Sequence, residues 1–197
     1  MKKAINHPLR KSLTAPVQIT GERQAKFIFS SESVDREHDV IKQAGIDVSH
    51  FLANPVVFFQ HEHDTAPIGR CTSIGIEGGN LVGVIEFAPA TNPLVGQKAS
   101  GLFELVRDGF LSTVSIGFIP KEISYPDGDR YMHDGVNVDA CEMVEISVVG
   151  IPCNREATLV DVVAATAPDA PHEMITAALA PKKYHGPRLR RILAAMD

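Results

Sequence analysis

The stretch "LSTVSIGF", Leu111 to Phe118, otherwise reads as an apolar strand, with Val114, Ile116 and Phe118 as its strand formers. Yet Ser112, Thr113 and Ser115 place hydroxyls in it, and Gly117 interrupts it. Two readings stand side by side. In one, Ser115 is an ordinary strand serine bonded to neighbouring backbone. In the other it is a nucleophile on a rigid element, with Gly117 leaving room for a substrate. Beyond the polar turn "PDGDR" (126–130), the run "CEMVEISVVGIP" (141–152) is again strongly β-forming. Side chains alternate along a strand, so Glu145, Ser147 and Val149 share one side of it.

Moving outward, the same period-2 signal appears in "VQITGERQAKFIFSSES" (17–33), which suits one long strand or a pair. "VDREHDVI" (34–41) is a charged turn in which Asp35 and Arg36 can pair and Asp39 can cap the backbone. "GIDVSHFLANP" (45–55) suits a short helix capped by Asp47 or Ser49 and ended by Pro55. "VVFFQ" (56–60) is a buried strand. "RCTSIGIEGGNLVGVIEFAP" (70–89) is a hairpin turning at Gly78-Gly79-Asn80. Helical spacing returns in 92–109, where Leu94, Val95, Leu102, Leu105 and Val106 can share a face and Gly109 supplies the stop. The expected fold class is mainly β with a few helices. The pattern degrades after about Thr158, which predicts a domain over 17–160 flanked by a flexible basic arm (1–16) and an Ala/Pro-rich, basic tail (161–197). A weak helix over His172–Ala180 is the tail's one element.

Composition narrows the function. The chain has 197 residues, 44 % of them hydrophobic, and a net charge of −5. That is enough for one core, and it gives no reason to expect nucleic-acid binding. No apolar run approaches the roughly 20 residues of a membrane helix, and the basic N-terminus lacks the apolar core of a secretory signal. Three widely spaced cysteines, Cys71, Cys141 and Cys153, make neither a disulfide framework nor a cysteine metal site. A reduced, cytoplasmic protein is expected.

Two further groups could carry chemistry. "HEHD" (61–64) puts His61 and His63 two apart, beside Glu62 and Asp64. Imidazole and carboxylate suit zinc or iron, but a third ligand is not visible in the sequence. A solvated loop and a catalytic base are the other readings. Glu145, opening a core strand, either pairs with a basic residue or orients an imidazole. Ser115 lies outside any GxSxG elbow, so it would have to act from within a strand.

In order, "SVDREHDVI", "FLANPVVFFQHEHDTAPIGR", "GFLSTVSIGF" and "CEMVEISVVGIPCNREA" resemble the prohead (procapsid maturation) serine proteases of tailed bacteriophages, over about Phe27 to Ala157. The resemblance implies a fold related to herpesvirus assemblin, a β-barrel with surrounding helices. It implies a nucleophile at Ser115, a general base at His61 and an orienting acid at Glu145, with no cofactor and no metal. His133 is a spare third member, since assemblin resembles a Ser-His-His arrangement. Backbone N–H groups near Cys153–Arg155 are the implied oxyanion donors. The family implies cleavage of the capsid protein's scaffolding segment, and of the protease itself, inside the procapsid in the bacterial host cytoplasm. The partners implied are the major capsid protein with that segment and a second copy as a dimer, with no nucleic acid and no membrane. The sequence departs from the usual pattern at His38, where glycine normally follows "VDRE", and His63 is variable. Two other readings compete: a non-catalytic, scaffold-like assembly protein, and a metal-dependent hydrolase using His61, His63 and either His38 or Asp64.

Overall fold

The computed structural model describes residues 23–126 and 135–163. The fold is organised around one long strand, β8 (Asn137–Val149). Along one edge it receives three short strands in parallel: β2 (Val40–Ile41), β3 (Ile46–Asp47) and β4 (Val56–Phe59). Along its other edge lies β7 (Thr113–Ser124), antiparallel. Beyond β4 come β5 (Gly69–Glu77), β6 (Asn80–Phe87), β1 (Gln24–Ser30) and β9 (Leu159–Val163). From Glu145 to Val149 every residue of β8 is buried, so both faces of this strand are covered.

The mainly β class with a few helices is as expected. The barrel, however, does not close as a continuous sheet. Strand order runs β2-β8-β4-β5-β6-β1-β9, with β3 and β7 paired to β8 and no ladder between β1 and β7. Residues 157–159 cross that gap. Ile28 N–H donates to Thr158 O (2.9 Å), Val114 N–H to Ala157 O (3.1 Å) and Leu159 N–H to Ser112 O (2.7 Å). Only one bridge, Thr113 to Thr158, forms with β7. The segment leaves a turn closed by Ala157 N–H on Asn154 O and then commits to β1 as β9, so it cannot follow β7 further.

The β5–β6 hairpin turns at Gly78-Gly79, with φ of 58° and 87°. Asn80 already pairs with Glu77, and two left-handed residues make the tight turn whose twist matches the strands. Helix α1 (Ser49–Ala53) starts where expected. Asp47 accepts the Ser49 N–H at 2.8 Å, although Val48 holds the cap position itself. Helix α2 (Gly96–Arg107) buries Ala99, Leu102, Phe103 and Val106. The predicted face was partly misplaced: Leu94, 78 % exposed, precedes the helix, and Leu105 is also exposed. Phe103 takes that place by packing on Phe87, ring centres 5.5 Å apart. The core beneath is built from Phe27, Phe29, Phe51, Phe87, Ile68, Leu81, Ile85, Met143 and Ile146.

The charged turn is held by backbone donors rather than by an Asp35–Arg36 pair. Asp35 Oδ1 accepts from the Glu37 and Asp39 N–H groups (2.8 and 2.9 Å). Arg36 donates instead to Pro152 O at 2.9 Å. Asp39 caps as expected, accepting the Val136 N–H at 2.7 Å. The first three residues of the predicted 161–197 tail complete β9; the rest of that tail with its predicted helix, the arm over 1–16 and His133 lie outside the described residues.

His38 occupies the left-handed region at φ 67°, which accounts for a glycine at this position in the pattern above. A β-branched side chain is the worst tenant of that conformation. His38→Val is expected to destabilise the fold by about 1–2 kcal/mol relative to His38→Gly, measured as the difference between their urea midpoints at equal m-value.

Candidate active site

The β7–β8 register sets the site. Ser115 stands opposite Ser147, and Gly117 opposite Glu145. Directly opposed residues on antiparallel strands have Cβ atoms about 4.5–5.5 Å apart, so these four positions form one patch on one face. The register then jumps, with Phe118 opposite Met143, leaving Val144 as an extra residue on β8. Such a bulge bends the strand and re-aims the side chains beside it.

Glu145 is only 3 % exposed. Its carboxylate lies over Gly117, where an added Cβ would come within 2.3 Å of Oε1. The glycine therefore makes room for the carboxylate, not for a substrate. Each carboxylate oxygen has a donor: Oε1 faces His61 Nδ1 at 2.8 Å, and Oε2 accepts from the Ser147 hydroxyl at 2.7 Å. Ser147 Oγ in turn accepts the backbone N–H of His61 at 3.2 Å. Since Ser147 donates to Oε2, the carboxylate is free to accept at Oε1, and the His61 proton belongs on Nδ1. That leaves the lone pair on Nε2.

His61 reaches this position through a tight turn at the end of β4. Gln60 and His61 both have left-handed φ, 57° and 58°, and Glu62 N–H closes the turn on Phe59 O at 3.1 Å. Two consecutive non-glycine residues here cost about 1–2 kcal/mol each. The turn is held by Gln60 N–H on Val148 O (3.0 Å), by the Ser147 bond, and by Lys98 of α2, whose ammonium lies 2.7 Å from Glu62 Oε2. His61 remains 40 % exposed although its partner is buried, so its ring can reach solvent and substrate. His63 stands beside the pair. Its Nε2 is 3.8 Å from Glu145 Oε1, and its ring meets Phe58 edge-on at 5.3 Å.

A cleft of about 230 Å³ opens on this face. His61 and Ser115 both line it, with Phe29, Phe118, Cys153 and Asn154 among the other walls. A cysteine in such a cleft invites comparison with the serine. Burial and then the Asp35 carboxylate, which accepts from Sγ at 3.1 Å, push the Cys153 thiol up. Burial alone raises Cys71 to about 12, and burial, then the Asp47 charge, raises Cys141 to about 11. None of the three is poised as a thiolate. The loop bearing Cys153 is fixed by Asn154, whose Nδ2 donates to Ser31 O (2.9 Å) and whose Oδ1 accepts the Glu156 N–H (3.0 Å).

Residues 24–170 match the family described as caudovirus prohead serine protease. The chain belongs to that family. Among its relatives is the prohead protease of Escherichia phage T5, 29 % identical over 130 residues, which are 64 % of this chain and 56 % of the relative. A second is the capsid polyprotein of Pseudomonas phage PAJU2, 28 % identical over 137 residues, 68 % of this chain and 19 % of the relative. The chain thus spans about half the length of the first and a fifth of the second. No solved structure matches. Among the described residues no helix is long and apolar enough to cross a membrane.

In this member of the prohead protease family, His61 and Glu145 are in contact, and Ser115 shares the cleft with His61. Ser147 is the residue whose part the sequence left unassigned. Alternation along β8 put it on the side of Glu145, and that was the available signal. Gly117→Ala must displace the Glu145 carboxylate. The expected outcome is loss of the His61–Glu145 hydrogen bond, read as a change in the His61 ring nitrogen shifts in nitrogen-15 NMR, with the core amides retained. Ser147→Ala strips a buried carboxylate of a donor and is expected to cost about 1–3 kcal/mol, read from urea unfolding.

Proposed function

We propose that this chain is a serine endopeptidase of phage capsid maturation, cleaving the scaffolding segment of the capsid protein, and itself, inside the procapsid in the bacterial host. The observation that carries this reading is the His61–Glu145 bond beside a serine-lined cleft. Family membership supports the reaction class, and relatives titled prohead protease and capsid polyprotein support the association with capsid protein.

Ser115 Oγ attacks the scissile carbonyl while His61 Nε2 takes its proton. Glu145 holds the ring in the required tautomer and stabilises the imidazolium that forms. The protonated imidazole then gives its proton to the leaving amine, and the acyl-enzyme on Ser115 is released by water through the same base. Oxyanion donors are assigned to backbone N–H groups of 153–155, since Cys153 and Asn154 line the cleft. Their loop is tied to Ser31 by Asn154 Nδ2 and closed on itself by Glu156 N–H on Asn154 Oδ1, which holds its backbone in place. Self-cleavage is assigned to the segment 164–191, whose sequence is interrupted by prolines.

Incubated with unprocessed capsid protein from its own phage, wild type should release discrete segments by intact mass. Ser115→Ala should slow this by about 10⁴-fold or more. Equal trimming by both proteins would remove Ser115 as the nucleophile. Iodoacetamide at neutral pH should leave the rate unchanged, since burial and the Asp35 carboxylate push the Cys153 thiol up, whereas a serine-directed fluorophosphonate should abolish it. Inactivation by iodoacetamide would move the chemistry to Cys153.

A further inference from the structure

His63 has no part in the reaction just described, yet it completes a donor set. One ligand atom each from His61, His63 and Glu145 lie within 4.8 Å of one another. Glu145 Oε1 is the centre of the group, 2.8 Å from His61 Nδ1 and 3.8 Å from His63 Nε2. Two imidazoles from a His-x-His pair and one carboxylate from a distant strand form a His₂Glu set, which zinc accepts while keeping a fourth position open. The third ligand was invisible in the sequence because Glu145 is 84 positions away from His61. His38 and Asp64 are not members of the group.

The surroundings suit an ion. Glu145 is 4 % exposed by side chain, whereas His61 and His63 are 40 % and 58 % exposed, so a cation enters from solvent and meets a buried negative charge. Ser147 donates to Oε2 at 2.7 Å, which fixes the carboxylate and leaves Oε1 for the metal. Bonds of about 2.0–2.1 Å in a tetrahedron place donor atoms about 3.3 Å apart. The His61–Glu145 pair would open slightly, and the exposed His63 would swing inward.

We propose that His61, His63 and Glu145 form an inhibitory site for Zn²⁺ or a similar borderline cation. The inference rests on the reading of His61 as the general base. In the active arrangement the imidazole proton sits on Nδ1 and the lone pair on Nε2. A metal at Nδ1 needs the lone pair there, so the proton moves through solvent to Nε2. The ring then has nothing with which to accept the Ser115 proton. The ion also takes the carboxylate that would stabilise the imidazolium. The two functions are mutually exclusive at the same three side chains, and metal removal restores the enzyme without covalent change.

The test uses the untagged full chain, freed of metal by chelation. Calorimetry with ZnCl₂ should give one site, and CoCl₂ should give the intense visible bands of a tetrahedral cobalt centre. Zn²⁺ should slow capsid-protein cleavage at least about tenfold, and excess chelator should restore it; Mg²⁺ and Ca²⁺, which prefer all-oxygen sites, should do neither. His63→Ala, and His63→Gln as a second variant, should weaken Zn²⁺ binding and inhibition together by about tenfold or more, each read against that variant's own metal-free rate. Ser115→Ala should bind Zn²⁺ as wild type does, so the binding arm stands even if the chain cleaves nothing and the protease reading fails. Absence of binding below millimolar Zn²⁺, binding indifferent to both His63 substitutions, or a rate that rises with Zn²⁺ would each overturn the proposal.

Discussion

A carboxylate shut away from water governs the arrangement around it. Glu145 is almost wholly buried, and an ionised carboxyl in that position is tolerated only when its oxygens are met by donors. Both are met, by His61 and by Ser147, and among the described residues no buried side-chain N or O atom is without a hydrogen-bond partner. The space comes from Gly117 on the neighbouring strand, since any Cβ there would strike the carboxylate. Buried charges contribute little net stability. What this one contributes is geometry, because a ring tethered to an immobile oxygen has one orientation and one tautomer.

The tether would fail without the strand that carries it. β8 has β7 on one edge and β2, β3 and β4 on the other, so Glu145 and Ser147 sit on a backbone fixed from both sides. The same strand pairs with the elements bearing Ser115 and His61. Its pairing with β7 brings Ser115 opposite Ser147. Its pairing with β4 delivers Gln60 N–H to Val148 O, at the threshold of the left-handed turn bearing His61. Backbone strain persists only where surrounding bonds over-determine it, and here three backbone N–H groups in succession, those of Gln60, His61 and Glu62, are each bonded.

Much of this was legible one element at a time. The Gly78-Gly79 turn marked the β5–β6 hairpin, and helical spacing marked α2. The face of α2 was misjudged because Leu94 and Phe103 are both apolar. Burial was decided by whether β6 and Phe87 stood opposite. The expected barrel closure failed for a similar reason. Whether 157–159 prolongs a ladder with β7 or leaves for β1 depends on the turn at Asn154, not on β-propensity. In the site, Ser115, His61 and Glu145 were named through ordered motifs resembling one family. Gly117 was assigned to the wrong neighbour, since a glycine records that something approaches closely without recording what.

The sequence by itself determined the local chemistry: which runs are strands, where the chain must turn, that its three cysteines form no framework, and which family its ordered motifs resemble. Only the tertiary structure decided that Glu145 lies over Gly117, that Ser147 links it to the backbone of His61, and that His63 joins them. The physical reason is distance along the chain. A hydrophobic period reports whether a residue faces a core, and it acts over a few positions. A hydrogen bond between residues 84 positions apart depends on the register of two strand pairs and on one strained turn, and those are settled only when the whole sheet packs.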